Sequence, residues 1–423
     1  MRQPPAMRSP SRRDVLAASG GLLAGLAGGY VARPRFDTES PPDPAPLAWA
    51  DTEWPYPDYD PQRTRNPPPE STPDGEFDEQ WRQSFERVFE RALPVASNGS
   101  VYTASTDARH ARLDAFALHD GERDWQHEYT AETSTRRPRV LAPGDGAYYR
   151  FVQTQTAPLG LAAAQSGEVA WHVSDPPRGG WTVGAGRLYY GNRSTGKLHV
   201  YDARTGEGLW TTRVDDERLV VRSFHPRHGV FATSLGRLYA LDPADGSTRW
   251  DYPVNHHVQN GPIVTDERAF VGTWNSDKRR VAALDAAAGE HLWTYPRSPA
   301  MVESKEGATV YWFEVGAAAG GTLLVNEYRV DSRPDALHAV DVASGDRRWR
   351  VEPPEGAKGL SKPTVVDGEV FVCTTNDRTA LSVLDLQDGS VKRSRPLPGY
   401  CPSPVVTDGK IFLQLSEALL AFA

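Results

Sequence analysis

From Trp81 to the C-terminus, short runs in which apolar and polar residues alternate are separated by clusters of Gly, Asp, Asn and Pro. A period of two residues is that of a half-buried β-strand, and turn residues between such runs close hairpins. The stretch from Pro363 through Asp367-Gly368 to Phe371, followed by Leu381 to Asp385, shows the unit: strand, Asp-Gly turn, strand, then a third strand. Similar turns stand at Asn98-Gly99, Gly144-Asp145-Gly146 and Asp408-Gly409.

A longer period lies over this pattern. An Asp ends an apolar run, a Gly follows four residues later, and a Trp four residues after that. The sets are Asp202, Gly206 and Trp210; Asp242, Gly246 and Trp250; Asp285, Gly289 and Trp293; Asp341, Gly345 and Trp349. Gly121 with Trp125 and Gly167 with Trp171 keep the last two positions, with Ala117 and Ala163 in place of Asp, whereas Asp385 and Gly389 are followed by Arg393. Successive glycines are 46, 39, 40, 43, 56 and 44 residues apart, the length of a four-stranded propeller blade. The Asp carboxylate is expected to hold turn amides, with Gly at positive φ and Trp opening the outer strand.

The last repeat stops at Phe422, short of its fourth strand, while Trp81 opens a strand with nothing before it. The two halves make one blade. The pattern therefore predicts an all-β fold, an eight-bladed β-propeller of four-stranded antiparallel blades over residues 79–423, its ring closed by the N-terminal strand so that no sheet edge is left open. The longest interval predicts an insertion in the sixth blade, with Gly316–Gly321 and Val330–Asp335 as surface loop.

Ahead of the repeats, residues 35–78 are crowded with Pro, Asp, Glu and Ser and cannot fold alone. Trp54, Tyr56 and Tyr59 are wasteful in a free linker, so the Trp54-Pro55 segment is expected to lie on the propeller. Residues 1–34 carry Arg12-Arg13 before an apolar Gly/Ala-rich stretch from Val15 to Ala32. This reads as a twin-arginine signal, cleaved or kept as an anchor, with a short buried helix as the alternative. It places the domain outside the cytoplasm, touching membrane only through that segment if uncleaved.

Composition narrows the partners. The chain carries 47 basic and 55 acidic residues, a net charge of −8; residues 1–34 hold five Arg and one Asp, so the remainder is 42 against 54, or −12. Such a surface repels phosphate backbones, and nucleic acid is discounted as a partner. Two Cys without a CxxC, and no His/Cys cluster at zinc spacing, argue against a structural metal.

With these motifs the chain resembles the PQQ-like propeller repeat proteins, a group that includes the tethered propeller of the bacterial outer-membrane assembly machine and, more distantly, quinoprotein dehydrogenases. The resemblance covers roughly residues 54–423, including a Trp54-Pro55 segment leading to Asp60 and Thr64. It implies that Trp81, Trp125, Trp171, Trp210, Trp250, Trp293 and Trp349 dock between blades, with a looser or differently filled interface at Arg393. A quinoprotein also needs a calcium site, a carboxylate base and a vicinal Cys pair over the cofactor, and Cys373 and Cys401 lie 28 residues apart. No catalytic residue, cofactor or metal is therefore assigned.

The sharpest polar cluster is His256, His257, Gln259 and Asn260, before the inner strand at Pro262. Adjacent strand residues face opposite ways, which disfavours a shared metal and leaves channel lining or a ligand or partner contact at the funnel rim. Cys373 ends a second strand and Cys401 opens the next inner strand, positions on one rim, so a disulfide is a candidate beside two separately buried thiols. Two functions remain: a monomeric scaffold that binds a protein partner through its loops, or a small-ligand sensor or degenerate quinoprotein using the funnel.

Overall fold

The computed structural model describes residues 30–31, 43–73, 75–85, 90–107, 110–130, 138–151, 159–173, 179–254, 258, 261–275, 278–297, 312–328, 334–357, 359–374, 379–415 and 417–423. Their strands form eight sheets, antiparallel but for one short pairing in the second, each built mostly from consecutive strands and arranged as the blades of one propeller. Blades 1 to 7 occupy residues 90–130, 139–173, 181–213, 220–253, 263–295, 312–351 and 364–396. Blade 8 joins Val405–Thr407, Lys410–Gln414 and Ala418–Phe422 to Glu79–Ser84 from the other end of the chain. Glu79–Ser84 lies antiparallel to Ala418–Phe422, with Arg82 opposite Leu420, and the Asp78 and Ala423 backbones exchange hydrogen bonds of 2.9 and 3.1 Å.

Two blades depart from four strands. In blade 1 the inner strand is split, Glu90–Arg91 and Val95–Ser97 both pairing with Ser100–Thr106 around Pro94. In blade 2, Tyr30–Val31 runs parallel to the outer strand, beside Trp171 and His172.

Burial follows the alternation. Middle strands such as Gly146–Arg150 and Gly229–Thr233 are buried throughout, while outer strands such as Thr248–Pro253 bury the Trp side and expose the other. Hairpin turns use paired positive φ angles, Asp367 at 47° with Gly368 at 74°, and Asp408 at 47° with Gly409 at 69°, which matches the twist of the flanking strands.

The sixth blade corrects one expectation. Gly316 to Ala319 belong to the inner strand Trp312–Ala319, and Gly316 packs against Pro363 and Asn326 so closely that a Cβ would fall 2.9 Å from Pro363 Cδ. Small residues there serve close strand packing, and only Gly320-Gly321 forms the turn. Residues 330–333 lie outside the described residues.

Candidate functional site

Each Trp of the repeat lies near the start of an outer strand and rests on the Asp–Gly turn of the next blade. The indole Nε1 of Trp81, Trp125, Trp171, Trp250, Trp293 and Trp349 donates to the carbonyls of Leu118, Ala164, Ala203, Ala286, Val342 and Leu386 at 2.9–3.1 Å. Each acceptor stands one residue after the repeat's Asp or Ala. The turn glycines have φ of 69–75°, and a Cβ on Gly289 would sit 2.5 Å from the Trp250 ring, so both backbone angle and space require glycine there. The Asp carboxylates accept turn amides, as Asp202 Oδ1 does from Arg204 and Thr205 at 2.8 and 2.9 Å.

Two interfaces differ. Trp210 Nε1 is buried without an acceptor among the described residues. Its equivalent carbonyl, on Pro243, takes Arg187 Nη1 at 2.8 Å and the Tyr189 hydroxyl at 3.2 Å instead. At the Trp349-equivalent position of blade 7, Arg393 stacks over Phe77 at 4.7 Å, donates to the Gly75 carbonyl at 3.3 Å and pairs with Glu369 at 2.8 Å. Residues 75–78 thus stand where the missing turn of blade 8 would lie.

The central channel is the other candidate site. Residues 52–65 form a strap across the mouth at which the inner strands end, and it bonds to every blade in turn. Trp54 exchanges two 2.8 Å backbone bonds with Ala96 of blade 1, the Pro55 carbonyl accepts from Ala142 of blade 2 at 2.7 Å, and the Tyr56 hydroxyl donates to Val183 of blade 3 at 2.9 Å. The carbonyls of Pro61, Gln62, Thr64 and Arg65 then accept from Phe224, Val264, Ala318 and Val365 of blades 4 to 7 at 2.9–3.0 Å. Blade 8 is met at both ends: Thr407 donates to the Thr52 carbonyl, and Arg65 Nη2 donates to Ser403 Oγ at 2.6 Å and the Pro404 carbonyl at 2.8 Å. Trp54 is fully buried, packed at a tilt against the Tyr59 ring and under the Arg65 guanidinium. Positive φ at Tyr59, Arg63 and Arg65 gives the strap its tight curvature.

Charge inside this ring is mostly positive. Asp58 pairs with Arg63 at 2.7 Å, Lys362 at 2.8 Å and Arg65 at 3.1 Å. Burial alone would raise its carboxyl, but Lys362, Arg63 and Arg65 hold it well below the usual range. Asp60 is raised to about 6 by burial, tempered by hydrogen bonds from Thr64 at 2.5 and 2.8 Å. Burial lowers Lys362 to about 8 against the opposing pull of Asp58. Arg139 donates to the Trp181 carbonyl at 3.2 Å and lies over that ring, while Arg222 donates to Thr233 Oγ1 at 3.1 Å and the Val258 carbonyl at 2.6 Å.

A quinone–metal centre does not fit these residues. Asp58 is engaged by three cations, Asp60 by Thr64, and Glu53 by the Asn98 amide at 2.7 Å and the Ser97 hydroxyl at 3.0 Å, so none of the three strap carboxylates is placed as a base. No group of three His, Cys, Asp or Glu able to hold a metal occurs among the described residues. Cys373 and Cys401, both thiols, lie buried with their sulfurs 2.7 Å apart in the core shared by blades 7 and 8.

His256, His257, Gln259 and Asn260 lie outside the described residues, as do residues 1–29. Sequence reasoning noticed the strap's aromatics but missed Arg63, Arg65, Arg139, Arg222 and Lys362, whose only signal was basic residues beside inner strands. It also missed a blade 4 turn where His225 and His228 rings stand 4.6 Å apart and His225 faces Asp266 at 3.4 Å, and a buried chain linking Tyr295, His338, Glu327 and Arg350 at 2.5, 2.6 and 3.1 Å.

Eight blades of four or five strands, seven of them with the repeat's Trp against a glycine turn of the next blade, define a PQQ-like repeat propeller. The family model described as outer membrane protein assembly factor BamB matches residues 157–226 and 214–414, more than half of the chain. The chain belongs to that family. It is 25% identical over 239 residues to the BamB of Yersinia pestis and 24% identical over 349 residues to that of Nitrosomonas eutropha. These matches cover 52% and 77% of this chain and 56% and 74% of those proteins. A europium-containing methanol dehydrogenase structure shares the fold with a TM-score of 0.62 and 13% identity, covering 88% of this chain and 98% of that one. The quinohemoprotein alcohol dehydrogenase ADHIIG of Pseudomonas putida HK5 does so at 0.60 and 13%, covering 88% and 80%.

Proposed function

We propose that this chain is an exported, non-catalytic β-propeller that serves as a protein-binding scaffold, carried out of the cytoplasm by the twin-arginine segment in residues 1–34 and standing on the outer side of the membrane. Residues 35–78 act as tether and strap, and residues 79–423 as the rigid disc. The observation that carries the reading is the strap: by bonding to all eight blades it closes one mouth of the channel and engages its own three carboxylates, Glu53, Asp58 and Asp60, which leaves the loops of the disc for recognition. Relatives named as assembly factors support a role alongside protein partners. Matches spanning 56% of one such relative make its particular assembly task a proposal here.

The test is chemical crosslinking of the full chain in the native membrane fraction, followed by purification under denaturing conditions. The reading expects a defined partner at near-stoichiometric yield, lost when Arg12 and Arg13 are both changed to Lys and export fails. Absence of any adduct, or quinone-dependent oxidation of an alcohol by the purified chain, would overturn it. Small-ligand binding in the channel is a second reading, favoured by the cations around the strap.

A further inference from the structure

We propose that the outer edge of blade 2 is a strand-addition site for an extended, uncharged segment, and that its occupant is the chain's own stretch around Tyr30–Val31, which clamps the end of the N-terminal apolar run to the rim of the disc. The claim concerns the edge and its occupant, and it stands whether or not residues 1–34 direct export.

The pairing is the first observation. Tyr30 lies opposite Trp171 and Val31 opposite His172 in parallel, whereas the outer strands of the other seven blades each end their sheet among the described residues. A parallel neighbour cannot be reached by a hairpin from the strand it joins, so this one comes to the edge from a distant part of the chain. The second observation is what the edges are made of. Six of the other seven outer strands carry Asp, Glu, Lys or Arg, from Arg213 alone in blade 3 to three arginines in Arg347–Val351, and the remaining one, His291–Tyr295, runs into Pro296. Charges and proline are the devices that keep an edge from pairing. Val169–Val173 reads Val-Ala-Trp-His-Val and has neither. Burial agrees: Trp171 is 1% exposed, against 6–9% for Trp81, Trp250, Trp293 and Trp349, as expected of an outer strand that has a neighbour.

The occupant suits the edge. Gly28 to Ala32 is uncharged, with an aromatic and a β-branched residue at the two paired positions, the types that favour a strand, and Pro34 follows to end it. Main-chain bonds of this kind hold an added strand with little demand on its side chains. The reach is also sufficient. Eleven residues, 32–42, separate Val31 from Asp43, which pairs with Arg187 of blade 3. At about 3.3 Å each they span up to about 36 Å, well over the three strand spacings of about 4.8 Å across a blade. One chain can therefore hold the rim of blade 2 and then enter the strap side of the disc at the neighbouring blade.

The experiment is disulfide trapping in the purified full chain. Val31→Cys combined with His172→Cys puts thiols on facing residues, and neighbouring strands lie about 4.8 Å apart, inside the Cα range of a disulfide. Under copper–phenanthroline oxidation of dilute protein, the proposal expects a bond within one chain in most molecules, read by peptide mass mapping. Val31→Cys combined with Arg249→Cys, on the outer strand of blade 4, should give at least tenfold less. Hydrogen exchange is a second readout that needs no new bond: Val31→Pro should speed exchange of residues 169–173 at least tenfold and leave residues 248–253 unchanged. A bond formed only between two chains would give the edge to a second copy and overturn the assignment of its occupant. No bond in the His172 pair, equal bonding in both pairs, or exchange at residues 169–173 unaffected by Val31→Pro overturns the proposal.

Discussion

Replacing Trp250 and Trp210 by Phe, one at a time, separates the hydrogen bond of the blade-docking contact from its packing. Both rings rest on a turn glycine of the following blade, so the loss of ring area is similar. Trp250 Nε1, however, donates to the Ala286 carbonyl at 3.1 Å, and Phe would leave that buried carbonyl without its donor at a cost of about 1–2 kcal/mol. Trp210 Nε1 has no acceptor among the described residues, because Pro243 gives its carbonyl to Arg187 and Tyr189; Phe there removes an unsatisfied buried donor and recovers about 1 kcal/mol. Trp250→Phe should therefore be less stable than Trp210→Phe by about 2 kcal/mol. Urea unfolding followed by circular dichroism measures the difference as a shift in midpoint at unchanged slope. Equal midpoints, or a larger loss at Trp210, would refute the assignment.

Oxidation of the purified chain should join Cys373 to Cys401, whose sulfurs already touch; closing a 28-residue loop would stabilise by about 3.5 kcal/mol on the chain-entropy model, and two reactive thiols after oxidation and unfolding would contradict this. Asp58→Asn should cost about 3–5 kcal/mol, since it leaves Arg63, Arg65 and Lys362 buried around a neutral group, and should expose residues 43–78 to limited proteolysis; an unchanged digest would be the contrary result. Glu327, held down at about 2 by its bonds to His338 and Arg350 against the opposing effect of burial, supplies stability that is complete above its ordinary 4.5 and lost as pH falls toward 2, up to about 3 kcal/mol. His338, lowered by burial, adds a loss of the same sign below 6.5, and Glu327→Gln should flatten the acid limb of a thermal-melt series; an acid limb as steep as the parent's would be the contrary result.

The blades were legible because their grammar is local. Asp, Gly and Trp at four-residue spacing each meet a constraint that the sequence displays: turn amides to cap, a positive φ, and a flat ring to fill the gap left by a missing Cβ. Interfaces that depend on distant segments were less so. Nothing near Arg393 announces that Phe77, more than 300 residues earlier, supplies the surface it stacks on, and nothing near Trp210 shows that Arg187 will claim its acceptor. The small residues at Gly316–Ala319 looked like a loop because close strand packing and loop flexibility select the same residue types. In the strap, aromatic content pointed to burial, but the circuit from Thr52 to Arg65 depends on carbonyls, and backbone groups leave no trace in residue identity.

Native-state hydrogen exchange on the full chain tests most directly whether the strap closes the channel. Six amides from six blades, those of Ala96, Ala142, Phe224, Val264, Ala318 and Val365, donate to strap carbonyls. The account predicts that all six exchange slowly and as one group, and that Asp58→Asn accelerates them together while the middle-strand amides of Phe231 and Phe371 keep their protection. Six unrelated rates close to those of exposed amides, or a group left unchanged by Asp58→Asn, would contradict it.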